Sequence, residues 1–133
     1  MSEKPIAQKM LIKPGRKVYL SNEPEGYEAR LREGGVSFTR VQDAGEADFL
    51  QLFVASRQEL EKLLPALKAG LRSEAMLWVS YRKGTSKVKS DVNRDTLHAY
   101  ARTLGLEGVT LISIDEDWSA MRFKLPLPPA PPP

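Results

Sequence analysis

The sequence predicts a single three-layer α/β domain: a mostly parallel sheet of about six strands, helices on both faces, and an antiparallel hairpin at the C-terminal end. Three observations carry that expectation. Short apolar runs alternate with segments whose leucines recur at helical spacing, the pattern of strands and helices in turn. Residues 49–55 and 75–81 are apolar almost throughout, as strands covered on both faces must be. The chain has 133 residues, 41% hydrophobic and 28% charged, which is enough for one core and leaves little room for two domains.

Residues 1–12 read as an N-terminal arm, and Lys13, Pro14 and Gly15 as the turn that opens the domain. The first strand is Arg16–Ser21, with Val18 and Leu20 apolar. Pro24 suits the first turn of a helix, where its missing N–H costs nothing, and Tyr27 and Leu31 share that helix's apolar face. Gly34 and Gly35 end it. Residues 36–41 alternate Val, Phe and Val with Ser, Thr and Arg, as a half-buried edge strand does. After the third strand, Ser56 caps a helix whose apolar stripe is Leu60, Leu63, Leu64, Leu67 and Leu71, and Pro65 should kink it. The fourth strand runs into a basic loop, 82–90. Asp91 or Asn93 caps a third helix with Leu97, Tyr100, Ala101 and Leu104 on one face, and Gly105 ends it. Residues 109–114 and 120–125 supply the closing hairpin. The last nine residues contain six prolines, so 126–133 is expected to be a polyproline-type tail without fixed structure, outside a domain spanning 13–125.

One link admits two solutions. Residues 42–48 join the second and third strands, fewer than the dozen or more that a parallel crossover usually takes. Fully extended, they reach about 23 Å at ~3.3 Å each. That allows a passage beneath the first strand; the other solution is an antiparallel pair.

Composition excludes several chemistries. The chain has no Cys, which removes disulfides, Cys-ligated zinc, iron–sulfur clusters and thiol nucleophiles. One His excludes a HExxH site and a His-rich metal site within one subunit. No apolar run reaches the roughly 18–20 residues that span a bilayer, and residues 1–9 lack the apolar core of a signal peptide, so a cytoplasmic protein is expected. The net charge of +3 is unevenly spread. Arg82, Lys83, Lys87, Lys89 and Arg94 face only Asp91 in their stretch, whereas acids gather at Asp43, Glu46 and Asp48 and at Asp115, Glu116 and Asp117. Such asymmetry attracts an anionic partner, and it equally suits solvated loops.

The proposed strand layout puts strand one centrally, strand two at one edge and the hairpin at the other. It resembles a pared-down class I methyltransferase fold lacking one strand–helix unit; the first four strands and two helices also resemble BRCT domains. Four stretches are similar, in order and spacing, to a bacterial family of small proteins without an assigned activity. They are Met10-Leu11-Ile12-Lys13-Pro14-Gly15; Asn22-Glu23-Pro24-Glu25-Gly26-Tyr27; Ala47 to Val54 with Ser56 to Leu60; and Asp115 to Phe123. The resemblance implies a compact Rossmann-like domain and no particular reaction.

In a doubly wound sheet, ligands sit beyond the carboxyl ends of the strands. Residues 22–27, 42–48 and 82–91 should meet there. Asn22, Glu23, Gly26 and Tyr27 stand where a methyltransferase-like fold places its glycine-rich cofactor turn. Gly26 is the only glycine among them, so no cofactor is expected and S-adenosylmethionine is doubtful. Asp43, 21 positions after Asn22, sits where dinucleotide folds hold the ribose hydroxyls, although an Asp that stabilises a turn reads the same way. The basic loop is the clearest candidate. Lys83, Gly84, Ser86, Lys87, Lys89 and Asp91 precede a helix N-terminus, whose free N–H groups and dipole favour phosphate or carboxylate. Trp118, among acids, can stack on a ligand or pack over the sheet edge. Arg122 is expected to pair with Asp115 or Asp117. No acid–base pair or nucleophile elbow stands out. The resulting expectation is a domain that binds an anionic small molecule or a protein partner and is not a conventional enzyme. The alternatives are a reduced S-adenosylmethionine-dependent methyltransferase-like enzyme and a nucleic-acid-associated protein.

Overall fold

The computed structural model describes residues 5–71, 74–87 and 90–124. Lys89 and the Pro-rich tail lie outside them. The elements are α1 (Ile6–Lys9), β1 (Arg16–Ser21), α2 (Tyr27–Arg32), β2 (Phe38–Arg40), β3 (Phe49–Val54), α3 (Arg57–Ala69), β4 (Met76–Arg82), α4 (Arg94–Thr103), β5 (Glu107–Ser113) and β6 (Trp118–Lys124). They build one six-stranded sheet in the order β2-β1-β3-β4-β6-β5. β2, β1, β3 and β4 are parallel, while β6 runs antiparallel to both β4 and β5. The β1–β2 pair is therefore parallel, and the antiparallel solution for strand two is set aside.

The short link after β2 works because it makes its own turn. A 3-10 turn at Ala44–Glu46 is capped by Asp43, whose carboxylate accepts from the Gly45 N–H at 2.9 Å. Val41 and Ala44 lie against the core on the α3/α4 face, beside fully buried Ala47. Asp48 then ties the link to β1 in both directions: its N–H donates to the Lys17 carbonyl (2.9 Å) and its carboxylate accepts from the Lys17 N–H (3.1 Å).

Two apolar clusters sandwich the sheet. On one face, Leu60, Leu64 and Leu67 of α3 and Leu97 and Ala101 of α4 cover Leu50, Leu52, Leu77 and Val79. On the other, Tyr27 and Leu31 of α2 cover Val18, Leu20, Phe49, Phe53 and Trp78. All six residues of β3 are buried, as its unbroken apolar run implied. Residues 5–12, read from the sequence as an arm, belong to this second cluster: Ala7, Met10 and Ile12 are buried in it. Burying those three side chains against α2 favours one fixed geometry for the segment.

The caps follow the sequence closely. Ser56 accepts from the Glu59 N–H (3.1 Å), and the Glu59 carboxylate reaches back to the Ala55 N–H (2.6 Å). α3 runs on through Pro65. A proline there cannot donate to the Glu61 carbonyl four residues back, and that oxygen instead receives the Tyr100 hydroxyl of α4 at 3.5 Å. Asn93 is the cap of α4 and forms a capping box with Thr96. Asp91 does a different job, accepting from the Arg57 N–H at 2.7 Å and so closing the start of α3.

Candidate functional site

The carboxyl ends of β1, β3 and β4 form the rim where a doubly wound sheet places its ligands. The β1–α2 turn is held tightly there. Asn22 adopts a left-handed backbone (φ 60°) and donates from Nδ2 to the Phe53 carbonyl at the end of β3, 2.8 Å away. Gly26 is also left-handed (φ 81°), a conformation that favours glycine, and it turns the chain into α2. Tyr27 points away from the rim. It is buried in the core, edge-on to Phe53, and its hydroxyl donates to Gln51 Oε1 at 2.8 Å; Gln51 Nε2 donates in turn to Ser80 Oγ at 2.9 Å. Tyr27 is therefore a core residue.

Asp43 is likewise absent from the rim. β2 ends at Arg40, opposite Val18 and three residues short of the end of β1, so the count from Asn22 overshoots the strand. What stands at the end of β2 is a cation. The Arg40 guanidinium pairs with Glu23 (2.6 Å) and Glu28 (2.8 Å) and donates to the Leu20 carbonyl (3.4 Å). The hydrogen bond from Arg40 is the main reason the Glu28 carboxyl is held below its usual range. A ribose-binding fold puts a carboxylate at this place; here the place holds a guanidinium paired with two acids, its Nε buried without a partner. The turn thus carries one glycine, Gly26, and the strand end carries Arg40 with the two acids it pairs. Sequence reasoning passed over Arg40, whose only signal was a charged residue closing an otherwise alternating edge strand.

The basic loop opens out after β4. Its first residue, Lys83, donates its N–H to the Asp117 carbonyl (2.8 Å) and its ammonium to Ser113 Oγ (2.5 Å). Ser86 is buried and donates to Asp117 Oδ1 (2.9 Å). Asp91 is taken up by α3. The expected cluster thus divides: Ser86 and Asp91 fasten the loop, while Gly84 and Lys87 remain at its exposed surface. A cleft of ≈660 Å³ nevertheless lies between this loop, the start of α4 and the hairpin. Arg82, Lys83 and Arg94 bring positive charge to it, Asp95 brings one negative charge, and Asn93 marks the α4 N-terminus. Tyr81 is on its wall, hydrogen-bonded to Ser119; burial raises its hydroxyl pKa. Of the predicted anion ligands, Lys83 and Gly84 line this cleft. Arg82 and Arg94, counted in the basic stretch of the sequence but not among its candidate ligands, join them, as does Tyr81, whose only sequence signal was proximity to the loop.

Trp118 is buried, edge-on to Phe53 at 5.0 Å, with the Arg82 guanidinium 4.3 Å from its ring centre. Its stacking partner is thus internal. Asp115 pairs with Arg30 (3.0 Å), leaving Arg122, far along β6 opposite Thr110, outside its reach. Desolvation pushes the Asp115 carboxyl up, but N–H donors from Asp117 and Trp118 and the Arg30 charge outweigh it and leave the pKa lowered. Among the described residues, no group of three or more His, Asp or Glu side chains is placed to hold a metal ion. No helix among them is long and apolar enough to cross a membrane.

Comparison with solved structures matches this architecture to methyltransferases at low sequence identity. A SAM dependent methyltransferase from Aquifex aeolicus superposes with a TM-score of 0.66 at 12% identity, over 89% of this chain and 86% of that one. The mitomycin 7-O-methyltransferase MmcR gives 0.64 at 9% identity, over 92% and 53%. The B. subtilis M1A22 tRNA methyltransferase TrmK gives 0.57 at 10%, over 95% and 67%. Identities this low establish the fold alone. No family model and no curated protein matches the chain, so the similarity to a bacterial family rests on the sequence stretches alone. The chain has a Rossmann-like α/β fold of the kind seen in methyltransferases.

Proposed function

We propose that this chain is a methyltransferase-fold domain that binds an anionic small molecule and performs no methyl transfer. The observation that carries the reading is the cleft at the carboxyl end of β4, where Arg82, Lys83 and Arg94 meet the N-terminus of α4. A phosphate or carboxylate there gains two kinds of favourable field, from side-chain cations and from the free N–H groups of the helix start. On the other side of the rim, Arg40 occupies the place of the ribose-binding acid and is held by Glu23 and Glu28.

Calorimetric titration with phosphate, nucleotides and dicarboxylates tests the reading. Binding to the wild type that is lost in Lys83→Glu/Arg94→Glu and kept in Arg40→Ala supports it. No binding of any of these anions, or binding indifferent to the charge reversals, overturns it. The likeness to methyltransferases favours a second reading, a reduced S-adenosylmethionine-dependent enzyme. It requires the sulfonium cofactor or its demethylated product to bind beside Asn22 and Gly26. Heat from those two ligands, lost in Asn22→Ala, would put the second reading first.

A further inference from the structure

We infer that the anion cleft continues into an apolar groove, and that its ligand is a free amphiphile: a phosphate or carboxylate head on one unbranched apolar chain. The inference rests on the anion-binding reading and deepens it. Among the described residues three large apolar side chains are exposed, Leu11, Val109 (43%) and Leu111 (44%). Val109 and Leu111 line one groove of ≈300 Å³ between α4 and β5. Arg94, Asp95 and Leu111 line both this groove and the ≈660 Å³ cleft at the start of α4, so the two spaces meet.

The residues give the combined trough a direction. Its cations stand at one end, where Lys83 and Arg94 meet the α4 N-terminus. Asp95, the acid on that end, is paired with Arg94 at 3.5 Å. Leu111 marks the change from charged to apolar lining. It stands opposite Met121 in the β5–β6 ladder, clear of the bulge between Gly108 and Thr110, and so projects from the same face as that core residue. Met121 also lines the groove, as does His98, four residues beyond Arg94 and on the same side of α4. Gly108 closes the far end. A Cβ there would lie 2.9 Å from Met121 Sδ and 3.1 Å from His98 Cδ2, so the missing side chain is what lets helix and strand pinch together. Three residues of bulged strand separate Leu111 from Gly108, about 10 Å at most. That length and volume suit one short chain. Its methylenes would cover Val109, Leu111 and Met121, removing from water an apolar surface that the head group alone leaves wet.

Isothermal titration of the full chain with n-alkyl phosphates and n-alkyl carboxylates, from methyl to decyl and below their micellar concentrations, tests the inference. Affinity should climb about three- to fourfold with each added methylene and level off once the chain reaches Gly108. Val109→Asn changes a residue of the groove alone; it should flatten the climb and leave the affinity of the shortest anions as it was, with an unchanged melting temperature showing the fold intact. Octylammonium, with the head charge reversed, should bind far more weakly than octyl phosphate. Short anions that bind with an affinity indifferent to chain length overturn the inference and leave the anion cleft standing. A climb that Val109→Asn leaves unchanged also overturns it, as does octylammonium binding as tightly as octyl phosphate. So does recruitment to vesicles of an anionic diacyl lipid without binding of the free amphiphiles. Binding of none of these ligands removes both readings.

Discussion

Tyr27→Phe removes one oxygen from the middle of the core and tests how the buried polar relay is held. The phenol donates to Gln51 Oε1 at 2.8 Å, and Gln51 Nε2 donates to Ser80 Oγ at 2.9 Å; all three residues are essentially inaccessible to water. The ring contact with Phe53, 4.7 Å between centroids, survives the substitution. The cost is therefore that of leaving Gln51 Oε1 without its donor in a dry interior, about 1–3 kcal/mol. For a chain of this size that is roughly 3–5 °C of melting temperature per kcal/mol. Denaturant titration should show the same loss with an unchanged slope. The triple variant Tyr27→Phe/Gln51→Leu/Ser80→Ala removes every member of the relay, so its loss should fall short of the sum of the single losses by about 1 kcal/mol or more. The relay also predicts an alkaline signature. Burial raises the Tyr27 hydroxyl pKa in the folded state, so the unfolded chain ionises first as pH passes about 10, and stability falls. Tyr81 is shifted the same way, so Tyr27→Phe should soften that fall without abolishing it. A neutral Tyr27→Phe, or a triple variant whose loss equals the sum of the three, refutes the argument.

Three further outcomes are expected. Leu64→Ala empties a fully buried site between α3 and the sheet and should cost about 2–5 kcal/mol in denaturant unfolding. Asn93→Ala breaks the capping box of α4 and should cost about 1 kcal/mol, recovered in large part by Asn93→Asp. Asp115 has a lowered folded pKa, so its contribution is present above its ordinary pKa and is lost as pH falls through the lowered one. Asp115→Asn should cost about 1–2 kcal/mol at neutral pH and flatten the acid limb of the stability curve.

How legible each feature was depends on how local its cause is. β1 was readable to the residue, and the Ser56 cap and the leucine stripe of α3 were readable too, because alternation, capping and helical spacing act within one turn or strand. β2 was expected at 36–41 and is Phe38–Arg40. Its length is set by where β1 offers partners, and propensity does not report that. Tyr27 was rightly placed on the apolar face of α2, but its bond to Gln51 and that of Asp91 to Arg57 were missed for a related reason. Each residue bonds one 24 to 34 positions away, Gln51 or Arg57, so no spacing rule joins them. Gln51 did leave a trace, as the one polar residue in the run FLQLFV.

The rim of the sheet is electrostatically divided, and the division follows from strand lengths. Because β2 stops level with Val18, a step opens at the end of β1 that only a long side chain can fill, and Arg40 fills it. Two cations, Arg40 and Arg32, then face two carboxylates, Glu23 and Glu28, so the charges on that side cancel. On the other side β4 runs to Arg82, and the loop beyond it is pulled toward the hairpin by Lys83 and Ser86. Arg82, Lys83 and Arg94 against Asp95 leave that side at +2. The excess positive charge at the carboxyl end of this sheet thus lies at the start of α4, where the proposed anion would sit. The stacking of Arg82 on Trp118 fixes one of those charges in place, so the field does not wait on the ligand to be assembled.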